Sequence, residues 1–134
     1  MIRILDFIDM ELGARDQFAD MTRAAYLGDG NLRRNVERWA ENLVSASIDV
    51  AKIVLASQRM PMPQTYRETL ASLGAVSAFE DFSDELASFA AVRNLLAHEY
   101  LNLRFPELQR IVDRAQSLYG ELVNATRQWL KRVT

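Results

Sequence analysis

The strongest constraint on the fold is a run of apolar residues spaced four and three positions apart between residues 31 and 57. The run consists of Leu32, Val36, Trp39, Leu43, Ala46, Val50 and Ile53. Side chains at this spacing lie along one face of an α-helix, and a near-heptad period is typical of long helices in bundles. The sequence therefore predicts a long amphipathic helix over residues 31–57.

Helical periodicity recurs through the rest of the chain, and no segment alternates with the period of two expected of a strand. Four further helices are predicted, over residues 2–27, 65–73, 83–100 and 106–133. Glycine and proline clusters at residues 28–31 and 60–63 separate them, and Pro106 suits a first helical turn. The predicted fold class is all-α: one domain over residues 1–134, an up-and-down helical bundle of four long helices plus one short helix.

The segment richest in functional groups has the sequence RNLLAHEY and occupies residues 93–100. It combines Arg93, Asn94, Glu99 and Tyr100 with His98, which is the single histidine of the chain. Ser83 is a plausible N-cap for the helix that leads into it. We therefore expect these groups to lie near the end of one helix.

The spacing on such a helix decides which groups can act together. At about 100° per residue, Asn94 and His98 share one face, and so do Arg93 and Tyr100. Arg93 and His98 lie about 140° apart. They can meet if the arginine stem reaches round, if the helix is distorted, or across a symmetric dimer, which we favour. The structural alternative makes Arg93 a buried ion-pair partner and His98 a satisfied interior histidine.

The order arginine, four residues, histidine, one residue, tyrosine resembles the motif of the HEPN superfamily, specifically the HepT toxins of MNT–HEPN toxin–antitoxin systems. Residues 32–39 are similar to that family's second helix, and residues 63–68 to its proline-plus-Tyr-Arg-Glu turn. The chain departs from the family at Ala91 and Val92, where an aromatic residue is common. This departure affects packing more than chemistry.

The resemblance implies a HEPN-like bundle and a metal-independent endoribonuclease in which the RNA 2′-hydroxyl attacks, leaving a 2′,3′-cyclic phosphate. Arg93 and His98 would be catalytic: the arginine matches phosphate oxygens, and the imidazole titrates near neutral pH. Asn94 would support them. Tyr100 would be the site where an MNT nucleotidyltransferase antitoxin attaches AMP. The expected partners are RNA, with tRNA and mRNA as candidates, this antitoxin and a second copy of the chain, with no cofactor.

Composition narrows the alternatives. The net charge is −2 at pH 7 and the pI about 5.4, which weighs against a protein that coats nucleic acid nonspecifically. Cysteine is absent, which excludes disulfides and thiolate metal sites and fits a reducing cytoplasm. No apolar window suggests a signal peptide or a membrane span. Of the 16 basic residues only Lys52 and Lys131 are lysine.

A second class of function stays open on these data. The same fold could be a non-catalytic HEPN module that binds a nucleotide or a protein and accompanies a nucleotidyltransferase. The complete set of motif residues favours the ribonuclease, whereas the acidic pI favours the binding module. A purely structural helical dimer is the third interpretation, which the clustered arginine, histidine and tyrosine make least attractive.

Overall fold

The computed structural model describes residues 1–97 and 100–134 as a bundle of α-helices, and this part of the chain contains no strand. The helices are α1 (Ile2–Gly13), α2 (Arg23–Gly28), α3 (Gly30–Ser57), α4 (Tyr66–Ser72), α5 (Ser83–Phe89), α6 (Ala91–Leu96) and α7 (Leu101–Val133). Short 3₁₀ turns occupy Arg15–Phe18, Leu73–Ala75 and Ser77–Phe79. The predicted all-α fold class is confirmed.

Helices α3 and α7, of 28 and 33 residues, are the long elements against which the shorter helices pack. The Asp29 carboxylate begins α3 by accepting hydrogen bonds from the backbone N–H groups of Asn31 and Leu32. Most of the predicted apolar face of α3 is buried, although Leu32 is half-buried and Ile53 is 38% exposed. No helix in the described ranges combines the length and apolarity that crossing a bilayer requires.

The predicted first helix over residues 2–27 is wrong in its bounds, because α1 ends at Gly13 and α2 starts at Arg23. Between them the Arg15 guanidinium donates from Nε to the Val112 carbonyl at 2.8 Å, which fixes the intervening turn against α7. The Thr22 hydroxyl then starts α2 by accepting from the Ala25 N–H. Contacts with α7 thus divide into two helices a segment whose apolar spacing alone predicts a single helix.

The predicted helix over residues 83–100 is also divided, into α5 and α6. The expectation that Ser83 is its N-cap is wrong, since Phe82 occupies that position and Ser83 is a buried first helical residue. A Cβ at Gly74 would lie 2.7 Å from the Ser83 hydroxyl oxygen, so the approach of these two segments requires glycine there.

Helix α7 begins at Leu101 rather than at Pro106. Pro106 lies inside the helix and has no N–H to donate to the Asn102 carbonyl. The missing bond falls near the helix start and on an exposed residue, where water replaces it at little cost. The early start of α7 leaves only residues 97–100 between the end of α6 and the start of α7, and the structure describes two of them, Ala97 and Tyr100.

Candidate functional site

Arg93 is a half-buried residue of α6 whose side chain extends to helix α3. Its Nη1 donates a hydrogen bond of 2.8 Å to the Ser45 hydroxyl oxygen. Its guanidinium carbon lies 4.7 Å from the centre of the Tyr66 ring, at the start of α4. One hydroxyl and one aromatic ring therefore hold the orientation of the guanidinium without neutralising its charge.

The ion-paired arginines of the described residues differ from Arg93 in having carboxylate partners. They are Arg15, Arg104, Arg110, Arg114 and Arg127. Arg93 makes no ion pair with a carboxylate within residues 1–97 and 100–134. The interpretation of Arg93 as a buried ion-pair partner is therefore wrong for this part of the chain. A guanidinium carries five N–H donors, and a hydroxyl and a ring leave most of them to an incoming anion.

Asn94 is exposed beside Arg93 and lines a surface groove of about 580 Å³ between α4 and α6. The groove is also lined by Gln64, Thr65, Tyr66, Arg67, Ala90 and Ala91. A groove of similar volume, about 590 Å³, lies between α1 and α7 and contains none of the predicted site residues. Of these two grooves, the α4–α6 groove is the one lined by a predicted site residue, Asn94, and by Tyr66, whose ring the Arg93 guanidinium contacts.

Tyr100 directly precedes α7 and is 67% exposed. Its ψ of 81° is not helical, and α6 has already ended at Leu96 with Ala97 as its C-cap. The predicted helix through residue 100 is thus wrong, and with it the angle that placed Arg93 beside Tyr100. His98 and Glu99 lie outside the described residues, so the expectation for His98 stays a prediction.

Arg104 is a structural residue next to the motif that the sequence did not single out. Its guanidinium donates to the Glu37 carboxylate of α3 at 3.0 Å and to the Leu96 carbonyl at 3.2 Å. It therefore ties the end of α6, which carries the first residues of the motif, to α3 and to the first turns of α7. A signal was available: Arg104 stands at helical spacing between Leu101 and Leu108, on an otherwise apolar face.

The same network contains Tyr26, whose hydroxyl donates to the Glu37 carboxylate. Burial raises the pKa of Tyr26 far above its usual value, and the hydrogen bond to Glu37 and its negative charge raise it further. Tyr26 therefore stays a neutral donor at any physiological pH. The hydrogen bonds of Tyr26, Glu37 and Arg104 hold the backbone at the end of α6 in place, and we assign them no part in proton transfer.

The geometry defines a helical protein with an oriented arginine beside a groove, and no carboxylate of residues 1–97 and 100–134 neutralises that arginine. This combination is suited to binding a phosphate. The sequence model of the HepT-like family, described as "Ribonuclease HepT-like", matches residues 8–125. The chain therefore belongs to the HepT-like ribonuclease family, for which RNA is the implied class of substrate. Comparisons with curated proteins and with solved structures found no match.

Proposed function

We propose that this protein is the toxin of a toxin–antitoxin pair and cleaves RNA without a metal ion. The observation that carries the proposal is the Arg93 guanidinium, half-buried, held by Ser45 and Tyr66, and not ion-paired to a carboxylate of the described residues. Burial strengthens its attraction for a phosphate, and the fixed orientation lowers the entropy cost of binding one. Membership of a ribonuclease family supplies the substrate class.

In the proposed reaction the ribose 2′-oxygen attacks the adjacent phosphorus and the bond from phosphorus to the 5′-oxygen breaks. One imidazole accepts the 2′-hydroxyl proton, and a protonated imidazole donates a proton to the leaving 5′-oxygen. We assign these roles to His98 from the two copies of a homodimer. Arg93 stabilises the charge that develops on the phosphorane oxygens, and Asn94 binds a phosphate oxygen or orients His98.

The proposal includes neutralisation at Tyr100. A nucleotidyltransferase of the MNT type would transfer AMP from ATP to the phenolic oxygen, releasing pyrophosphate. The exposure of Tyr100, 67% of its surface, supports this role, because the phenol must reach another enzyme's active site. The added phosphate would repel RNA phosphates and offer an anion to nearby arginines.

The ribonuclease proposal is tested by incubating purified protein with total cellular RNA in excess EDTA, beside Arg93→Ala and His98→Ala variants. We expect cleavage products with 2′,3′-cyclic phosphate ends, absent for both variants while each remains folded. Sedimentation of the wild type and both variants as dimers would support the proposed assembly. No cleavage by a wild type whose mass shows unmodified Tyr100 would favour the non-catalytic binding module, which the net charge of −2 also suits.

The modification is tested separately by co-expression with a candidate nucleotidyltransferase and intact-mass measurement. The mass should increase by whole AMP groups in the wild type and stay unchanged in Tyr100→Phe. Tyr66→Phe serves as the matched control, since Tyr66 is also exposed, at 45%. An AMP adduct that persists in Tyr100→Phe would contradict the assignment.

A further inference from the structure

The Tyr66 ring brings a second cation close to Arg93. The Lys52 ammonium of α3 lies 5.6 Å from the centre of the same ring that the Arg93 guanidinium contacts at 4.7 Å. The two charges are therefore no farther apart than the sum of these two distances. Lys52 is exposed, and Tyr66 is nearly half exposed. One aromatic side chain of α4 thus gathers one cation from α3 and one from α6.

No carboxylate of the described residues neutralises this pair of cations. Two like charges held near one ring repel each other. The ring offsets part of that repulsion, because its face attracts each cation. Neither Lys52 nor Arg93 forms an ion pair with a carboxylate among residues 1–97 and 100–134, and Asp49, one turn before Lys52, is not paired with it. Binding of anions at this place would therefore lower the repulsion of the two cations.

We propose that Lys52 is a second phosphate-binding residue, which holds a phosphate neighbouring the one that Arg93 binds on the same RNA strand. This inference rests on the proposed ribonuclease function and extends its substrate site. Tyr66 is the positioning residue, because its ring contacts both cations. The α4–α6 groove, with exposed Arg67 and Asn94 on its walls, continues the surface along which the strand would run.

The two cations differ chemically, and each suits the phosphate that we assign to it. The planar guanidinium of Arg93 makes directed, paired hydrogen bonds, which suit a phosphate at which charge develops. The ammonium of Lys52 is a compact, strongly hydrated point charge that binds a phosphate from many directions. A site of this kind reads the backbone and not the bases, so we expect Lys52 to add affinity without sequence preference.

The experiment measures binding of a single-stranded RNA oligonucleotide with 2′-O-methyl riboses, which lacks the attacking hydroxyl and stays intact. Dissociation constants are determined over a series of salt concentrations for the wild type, Lys52→Ala and Lys131→Ala. Each phosphate neutralised on a single strand contributes about 0.7 to the slope of log affinity against log salt. Lys52→Ala should therefore reduce the slope by about 0.7. Lys131→Ala, the matched control near the end of α7, should leave it unchanged.

A variant pair tests the role of the ring. Tyr66→Phe retains the aromatic face and should bind the RNA as the wild type does. Tyr66→Leu retains an apolar side chain but loses the ring, and it should weaken binding about three- to fivefold. Equal binding by Tyr66→Leu and Tyr66→Phe would overturn the positioning role.

The outcomes separate this inference from the ribonuclease proposal. If the wild type cleaves unmodified RNA in EDTA but Lys52→Ala keeps the wild-type salt slope, the second phosphate site is wrong and the ribonuclease stands. An equal loss of slope in Lys131→Ala also overturns the site, because the effect would then reflect net charge alone. A wild type that neither binds the modified RNA nor cleaves the unmodified one overturns both.

Discussion

Arg93 and Arg104 contact the same helix about two turns apart, yet the structure holds their charges in opposite ways. Arg104 reaches α3 at Glu37, a carboxylate 3.0 Å away, with both side chains largely buried. Arg93 reaches α3 at Ser45, a neutral hydroxyl 2.8 Å away, and rests on the Tyr66 ring. The first arginine is neutralised where it lies, and the second is only oriented.

This difference separates a structural arginine from one available for binding. The cost of removing Arg104 from water is offset inside the protein by Glu37, so that folding alone accounts for its placement. The partial burial of Arg93 brings no such compensation from the described residues. An oriented cation of this kind gains most when an anion arrives, which is what a phosphate-binding site requires.

The largest effect on stability should come from Arg104→Met, which keeps much of the side-chain length and removes the positive charge. Glu37 would remain buried without its cation, and we expect the free energy of unfolding to fall by about 3 kcal/mol. Urea denaturation measures it. The corresponding Arg93→Met variant should change stability by less than about 1 kcal/mol, because no described carboxylate loses a partner.

The double variant Arg104→Met with Glu37→Leu provides the control for that result. Replacing both charges with apolar side chains should recover a large part of the lost stability. Equal destabilisation by Arg104→Met and Arg93→Met would show that the contrast between the two arginines is false.

The next largest effect is expected on catalysis. Arg93→Lys keeps the positive charge but loses the planar fork and its fit to the Tyr66 ring, so the rate of RNA cleavage should fall about 100-fold. Single-turnover cleavage of a defined RNA measures this rate, with circular dichroism to verify folding. Arg67→Lys, a similar change on the groove wall, should alter the rate less than about threefold. Full activity in Arg93→Lys would argue that Arg93 acts as a simple point charge.

The sequence was sufficient to predict the fold class and helix α3, because an apolar period sustained from Leu32 to Ile53, over most of the 28 residues of α3, leaves little freedom of interpretation. The sequence did not predict that α6 ends and α7 starts near the motif. There the apolar spacing from Leu86 to Tyr100 fits one helix, but the contacts of Arg104 with Glu37 and Leu96 accompany a separate start of α7 at Leu101. Partners far apart in the chain override local periodicity.

The sequence also did not indicate which residues contact Arg93. Ser45 precedes Arg93 by 48 positions and lies within a helix whose pattern only predicts packing. The helical spacing of Tyr66 with Leu70 and Leu73 is typical of a buried face, whereas Tyr66 is 45% exposed and its ring contacts the guanidinium. A motif indicates which residues act, but the residues that orient them are set by the packing of α3, α4 and α6.

A smaller effect is expected for Ser45, the residue that orients Arg93. Ser45→Ala should lower the cleavage rate about tenfold, or about 1.4 kcal/mol in activation free energy, since the guanidinium would lose one fixed contact. Ser45→Thr restores a hydroxyl and should restore most of the rate. Ser47→Ala is the matched control, because the Ser47 hydroxyl donates to the Val44 carbonyl and has no contact with Arg93. A rate loss that Ser45→Thr does not restore would indicate altered packing of α3 instead.

The smallest effect on stability is expected for the exposed ion pair between Arg114 and Glu85, which adds a solvent-screened arginine to the comparison of Arg104 with Arg93. Arg114 donates two hydrogen bonds, of 2.7 and 2.9 Å, to the Glu85 carboxylate, and these lower the pKa of Glu85 below its ordinary value of 4.5. A carboxyl whose pKa is lowered by folding stabilises the protein above its unfolded pKa, and this contribution is lost as the pH falls through the folded pKa. Because water screens the pair, the stability lost in Glu85→Gln at pH 7 should be smaller than the stability lost in Arg104→Met.

Urea denaturation at pH 7 and again below pH 4 would measure the Glu85 contribution. The stability difference between wild type and Glu85→Gln should shrink at the lower pH, because the wild-type carboxyl becomes protonated as well. Asp84→Asn, a change at the adjacent exposed carboxylate, should show no such convergence. A difference that grows as the pH falls would mean that Glu85 is stabilised as the neutral acid. The pair with Arg114 would then be neither a structural ion pair like that of Arg104 nor a simple exposed one.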